Sequence, residues 1–160
     1  MDDDVDYGDA SRYVNDVSIE LAWAAKAYER AGVHMNLLMS CKTDGLRLHR
    51  EHDEVYQAFR AGWPDLDVQA ITEDDLKSED AKNRWREFCD KFKEVDDFNL
   101  GTLLRKDAGQ AYTENNCIIA PKIIFLAIEG ARNREGINER NKESYIADYK
   151  RSEAVAASMR

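Results

Sequence analysis

Four groups of residues in this chain have side chains that could carry chemistry. The first is HREH, which sets His49 and His52 three positions apart with Glu51 and Asp53 beside them. On a helix two imidazoles at that spacing share a face and could hold a metal, but no third ligand is evident and the HExxH order is absent. Solvated surface histidines are the plainer reading. The second group is the cysteines, Cys41, Cys89 and Cys117, odd in number and with no CxxC pair. They read as reduced thiols of an intracellular protein. Cys89 follows Phe88 on an apolar stripe, where a thiol stays protonated and inert. The third is the acidic run TEDDLKSED at 72–80, which reads as the solvated start of a helix. The fourth is polar and arginine-rich: ARNREG at 131–136 and the loop-rich stretch NLGTLLRKDAGQAYTENN at 99–116. An arginine fork matches carboxylates, and loops held on rigid elements concentrate binding contacts. Against this stand helix-end charge, ion pairing inside the chain with Glu129, and a hairpin that satisfies its own turns.

Composition excludes several classes. The chain has 160 residues, 43% apolar and 34% charged, with a formal charge of −9. The size fits one domain with a core of its own. The acidic balance disfavours nucleic acid, DNA included, and anionic membranes, because both require clustered Lys and Arg. The acidic start MDDDVDYGDA is no secretory signal, and no apolar run approaches a membrane span, so a cytoplasmic location is expected. No phosphate-binding GxxxxGK[ST] or GxGxxG is present, and no cofactor is expected.

The elements that must position these residues are mostly helical. Residues 1–16, with six Asp against one Arg, read as a flexible acidic arm. A helix over 17–41 carries Leu21, Ala24, Tyr28, Ala31, Met35 and Leu38 at steps of three and four. Gly32 interrupts it, and a kink or a close helix crossing would explain the glycine. Trp23 lies off this stripe, to pack on another element or to anchor a partner. A second helix covers 52–62 with Val55, Tyr56 and Phe59 inward, and 67–71 is a short strand or link. Thr72 with Asp75 suits a capping box. The helix that follows aligns Ala81, Trp85, Phe88, Phe92 and Val95. GTLLRKD and CIIA form a β-hairpin with a long connection. Pro121 opens a helix with Ile124, Ile128 and Ala131 inside, and Gly136 closes it. Residues 139–160 are a polar C-terminal helix or tail, with Tyr145 and Tyr149 paired at i,i+4. The fold class expected is mainly α with a small β-hairpin, one helical domain over 17–138.

The block LKSEDAKNRWREFCDKFK, then VDDFNLGTLLRKDAGQAYTENNCIIAPKIIFLAIEGARNREGIN, resembles the eukaryotic polysaccharide-biosynthesis-domain-containing protein family, and IELAWAAKAYERA resembles that family's first helix. The resemblance covers roughly 17–138. KDAG at 106–109 matches loosely, and the tail after Asn138 diverges. The family's label is shared with plant enzymes of cell-wall polysaccharide modification that look like S-adenosylmethionine-dependent methyltransferases. The resemblance itself implies a non-enzymatic, dedicated chaperone that binds nascent elongation factor one-alpha near the ribosome and guards its GTP-binding domain. A monomer is expected. It implies no catalytic residue. The matching polar residues are Asp97, Asn99, Arg105, Asp107, Tyr112, Glu114, Asn115, Glu129, Arg132, Asn133 and Glu135. Of these, Arg105, Asp107, Tyr112, Glu114, Asn115, Arg132, Asn133 and Glu135 are the candidate partner-binding set. Two alternatives remain: a polysaccharide-modifying, methyltransferase-like enzyme, and a general ribosome-associated interaction adaptor.

Overall fold

The computed structural model describes residues 10–160, with side chains from residue 17 onward. Helix α1 spans Ala10–Ser40. It begins seven residues before the expected boundary, so part of the expected acidic arm is helical; residues 1–9 of that arm lie outside the described residues. Helix α2 spans His52–Gly62, α3 Glu73–Lys77 and α4 Glu79–Asp90. Strands β1 (Gly101–Arg105) and β2 (Cys117–Pro121) follow, then α5 (Lys122–Arg134), α6 (Ile137–Arg140) and α7 (Lys142–Ser158). The protein is mainly α with one two-stranded antiparallel hairpin, in register from Gly101 opposite Pro121 to Arg105 opposite Cys117.

Helix α5 is the axis of the molecule. From Ile123 to Asn133 only Phe125 is less than fully buried, as expected of a helix covered on all sides. Val55 and Phe59 of α2 belong to the same core, as do Trp85 and Phe88 of α4 and Leu104, Ile118 and Ala120 of the hairpin. Trp63 stacks on Trp85 with ring centroids 3.9 Å apart. The Thr72 capping box forms with Asp75, and its hydroxyl accepts from the Asp75 N–H at 3.2 Å. Helix α4 stops at Asp90, earlier than the apolar spacing suggests. Tight turns then carry the stripe on, the Val95 N–H donating to the Phe92 carbonyl at 3.0 Å, so that Val95 is still buried. The 67–71 segment is a link with a single bridge, Ala70 opposite Asp107.

The C-terminal segment is helix α7, anchored near its start and exposed from residue 150 to 160. Tyr145 is fully buried with Met35, Leu38 and Ala111 in a second small core, and its O–H donates to the Leu38 carbonyl at 2.8 Å. The expected inner stripe of α1 is inner only in its C-terminal half. Ala27, Ala31, Met35 and Leu38 are buried, whereas Leu21 is 67% and Tyr28 70% exposed. Both residues keep the right spacing, but at this end α1 packs on the hairpin through Trp23 and Ala27, which turns Leu21 and Tyr28 to solvent.

Candidate interaction surface

Three of the eight expected partner-binding residues, Arg105, Arg132 and Asn133, are buried, for a physical reason. Arg105, at the end of β1, and Glu129 and Arg132, one turn apart on α5, are all 0% exposed. A buried charge is costly unless paired and hydrogen-bonded. Arg105 meets Glu129 with two bonds of 3.0 Å, and its remaining N–H groups go to Asn138 Oδ1 (2.8 Å) and to the carbonyls of Ala108 and Gln110 (each 3.0 Å). Arg132 donates to Glu129 at 3.0 Å and to the Val68 carbonyl at 2.7 Å. Burial alone would push the Glu129 carboxyl up; the two guanidiniums together outweigh it and hold the group well below the usual carboxylate range. Asn133 accepts from Asn138 at 2.7 Å within the same cluster. The cluster ties three loops and α6 to the central helix.

Arg105, Arg132 and Asn133 are therefore framework in this structure, because none of their side-chain surface faces outward. Glu135 is also engaged: Arg60 grips it at 2.8 and 2.7 Å, and the Tyr56 O–H donates to it at 2.7 Å. Asp107 accepts from the Gly109 N–H at 2.8 Å and shapes the hairpin connection. Glu114 and Asn115 stand exposed on a 3-10 turn. The loop thus delivers two of the eight residues to solvent.

Tyr112 reaches a different place. It lines a cavity of about 220 Å³ between α1, the hairpin and α5, with Leu37, Leu103, Phe125 and Leu126 as apolar wall and Arg30, Asp97 and Lys122 at the sides. Its hydroxyl lies 2.7 Å from His34 Nδ1. The His34 Nε2 is buried without a hydrogen-bond partner among the described residues, and burial lowers the imidazole to about 4. His34 is thus neutral at pH 7. The sequence reading passed over it, since one histidine in a helix carries no pattern.

The other candidates have structural tasks. Trp23 takes the packing alternative: its indole N–H donates to the Gly101 carbonyl at 3.2 Å, joining α1 to β1, and a Cβ at residue 101 would sit 3.3 Å from its ring. His49 Nδ1 accepts from the Glu51 N–H at 3.1 Å, and the His52 ring lies against Gly130. Among the described residues no group of three His, Cys, Asp or Glu is placed to hold a metal. Burial pushes the Cys89 thiol up to about 11.

The first half of α1 leaves apolar side chains exposed. On one face Val17 is 54% exposed, Leu21 67% and Tyr28 70%, and Ile19, 66% exposed, lies on the other side of the helix. Two hollows flank this face. One is lined by Val17, Glu20, Leu21, Trp23 and Ala24; the other lies between Tyr28, Gly32 and Met35 of α1 and Tyr149, Ser152 and Glu153 of α7. Contiguous exposed apolar surface of this kind marks interaction sites. Among the described residues no helix is long and apolar enough to cross a membrane.

The fold and this face define a class: small, mainly helical domains with a single β-hairpin and an ion cluster at the centre. The chain belongs to the PBDC1 protein family, whose family model matches residues 19–143. It is 48% identical to the human protein PBDC1 over 81% of this chain and 56% of that protein, and 48% identical to the mouse protein over 79% and 65%. The chain thus spans less than two thirds of the length of these two relatives. A Saccharomyces cerevisiae homologue is 39% identical over 76% of this chain and 86% of its own length. The solution NMR structure of a Saccharomyces cerevisiae protein superposes with a TM-score of 0.73 at 33% identity, covering 89% of this chain and 97% of that one.

Proposed function

We propose that this protein is a non-enzymatic, cytoplasmic chaperone that holds the nascent GTP-binding domain of translation elongation factor one-alpha until it folds. Two things support this reading: the family resemblance in DFNLGTLLR and in YTENN through ARNREG, and the surface of α1. The observation that carries it is the exposure of Val17, Leu21 and Tyr28 on one face, while Arg105, Glu129 and Arg132 are consumed inside. A folding domain presents apolar segments, and a pre-formed apolar face covers them reversibly. Binding alone protects the client by mass action, with no nucleotide spent by the holder. The net charge of −9 favours encounter with basic client segments and disfavours adhesion to ribosomal RNA.

The test is capture of the tagged protein from a translating lysate, with puromycin as control. Enrichment of elongation factor one-alpha that falls when nascent chains are released is expected. Its absence sinks the proposal. Stabilisation of the protein by S-adenosylmethionine in a thermal-shift assay would favour the methyltransferase-like alternative instead. Ribosome co-purification without any effect of depletion on elongation-factor levels would favour the adaptor.

A further inference from the structure

The apolar spacing of α1 is more regular than a single domain needs. Val17, Leu21, Ala24, Tyr28, Ala31, Met35 and Leu38 follow steps of four and three without a break. That is the seam of a heptad repeat. The C-terminal half is completed internally, where Met35 and Leu38 pack with Tyr145 of α7. The N-terminal half is not completed. Helix α7 follows α1 as far as the hollow holding Tyr28, Gly32, Tyr149 and Glu153, yet Val155 is 56% and Met159 80% exposed beyond it.

Gly32 belongs to this pattern. A mid-helix glycine costs about 1 kcal/mol against alanine, and nothing lies within 4 Å of where its Cβ would be. No internal crossing therefore requires it. A residue without a side chain bordering this mixed polar and apolar hollow lets another backbone approach closely.

Charge selects the occupant. Among the described residues, the charged side chains lining the two hollows along α1 are Glu20 and Glu153, with neither Lys nor Arg. A second copy would bring to this acidic face another chain that is itself at −9. Like charges across an interface disfavour pairing, and opposite charges guide it.

We infer that the exposed half of the α1 seam, with the adjoining end of α7, docks an amphipathic helix of another protein whose apolar stripe is flanked by Lys or Arg. The inference rests on reading the protein as a binder of other proteins, not on which client it holds. Docking of this form anchors at i, i+3/i+4 and i+7.

The probe is a labelled synthetic peptide of three heptads with Leu at the seam positions and Lys at the flanking ones, beside a twin carrying Glu at the flanks. Both are titrated into the full chain by fluorescence anisotropy. The Lys peptide is expected to bind about tenfold or more tighter than its twin. The double variant Leu21→Glu/Tyr28→Glu is expected to lose it, and Glu20→Lys/Glu153→Lys to reverse the preference. All four side chains are exposed, so both variants should fold; if the first does not by circular dichroism, the charge swap carries the test. Equal binding of the two peptides, no binding of either, or indifference to the variants overturns the inference. So does a free chain that sediments as a dimer and is made monomeric by Leu21→Glu/Tyr28→Glu. Elongation-factor capture that survives Leu21→Glu/Tyr28→Glu would sink this docking face and leave the client standing. Charge-selective peptide binding with no elongation factor captured would do the reverse.

Discussion

Glu129 is the residue on which the interior turns. Its carboxylate is the counter-charge to two guanidiniums that have no access to water. Glu129→Gln leaves both arginines buried without it and is expected to cost about 3–5 kcal/mol in urea unfolding; a loss below about 1 kcal/mol would contradict the pairing described. Arg105→Glu and Arg132→Glu are expected to unfold the chain, so lost binding in either variant reports folding rather than contact. His34 gives the fold a pH limit. Its free imidazole takes a proton below about 6.5, whereas in the folded chain burial lowers it to about 4. The unfolded state therefore binds more protons through that window, and stability falls as the pH drops. The loss from pH 7 to pH 5 is about 2 kcal/mol. His52, lowered chiefly by burial as well, adds in the same direction. Denaturant titrations at the two pH values should show the loss, and His34→Gln should remove most of it; an unchanged slope in that variant would assign the effect elsewhere. The Glu129 contribution lies lower, present above the ordinary carboxylate pKa and lost only in stronger acid.

At the scale of elements, local rules set boundaries wherever the chain closes them with its own side chains. Thr72 and Asp75 start α3 as a reciprocal cap, so Thr72→Ala should cost about 1 kcal/mol by thermal or urea unfolding. Gly136, at φ 78°, lets the chain turn from α5 into α6. Gly32→Ala should stabilise the isolated protein by up to about 1 kcal/mol, because the helix gains propensity and meets nothing. Destabilisation there would show a hidden constraint on α1. The limits of α2 and α5, the hairpin and most inward residues of α2, α4 and α5 were legible, since periodicity, caps, Gly and Pro are local signals. Two things were not. The spacing of Leu21 and Tyr28 says that they share a face with Met35, but not whether a neighbour covers it. Arg105 and Arg132 look alike on a surface and in a core; only Glu129, far along the chain from Arg105, separates the two cases. Within the dense polar signal of ARNREG and the hairpin loop, Arg105 and Arg132 hold loop carbonyls to the Glu129 cluster, while Glu114 and Asn115 remain exposed.

The molecule as a whole encloses the Arg105–Glu129–Arg132 cluster and leaves part of a heptad seam outside. Net charge, the apolar face of α1 and the hollows beside it then act together. In the proposed docking, acidity would draw basic segments in and the seam would retain those with an apolar stripe. The most direct measurement is capture of nascent elongation factor one-alpha from a translating lysate by the native chain and by the Leu21→Glu/Tyr28→Glu variant, side by side. Puromycin-sensitive recovery by the native chain and loss of most of it in a variant that is still folded is the expected result. Equal recovery by both chains, or by neither, would contradict the claim that this face of α1 holds the client.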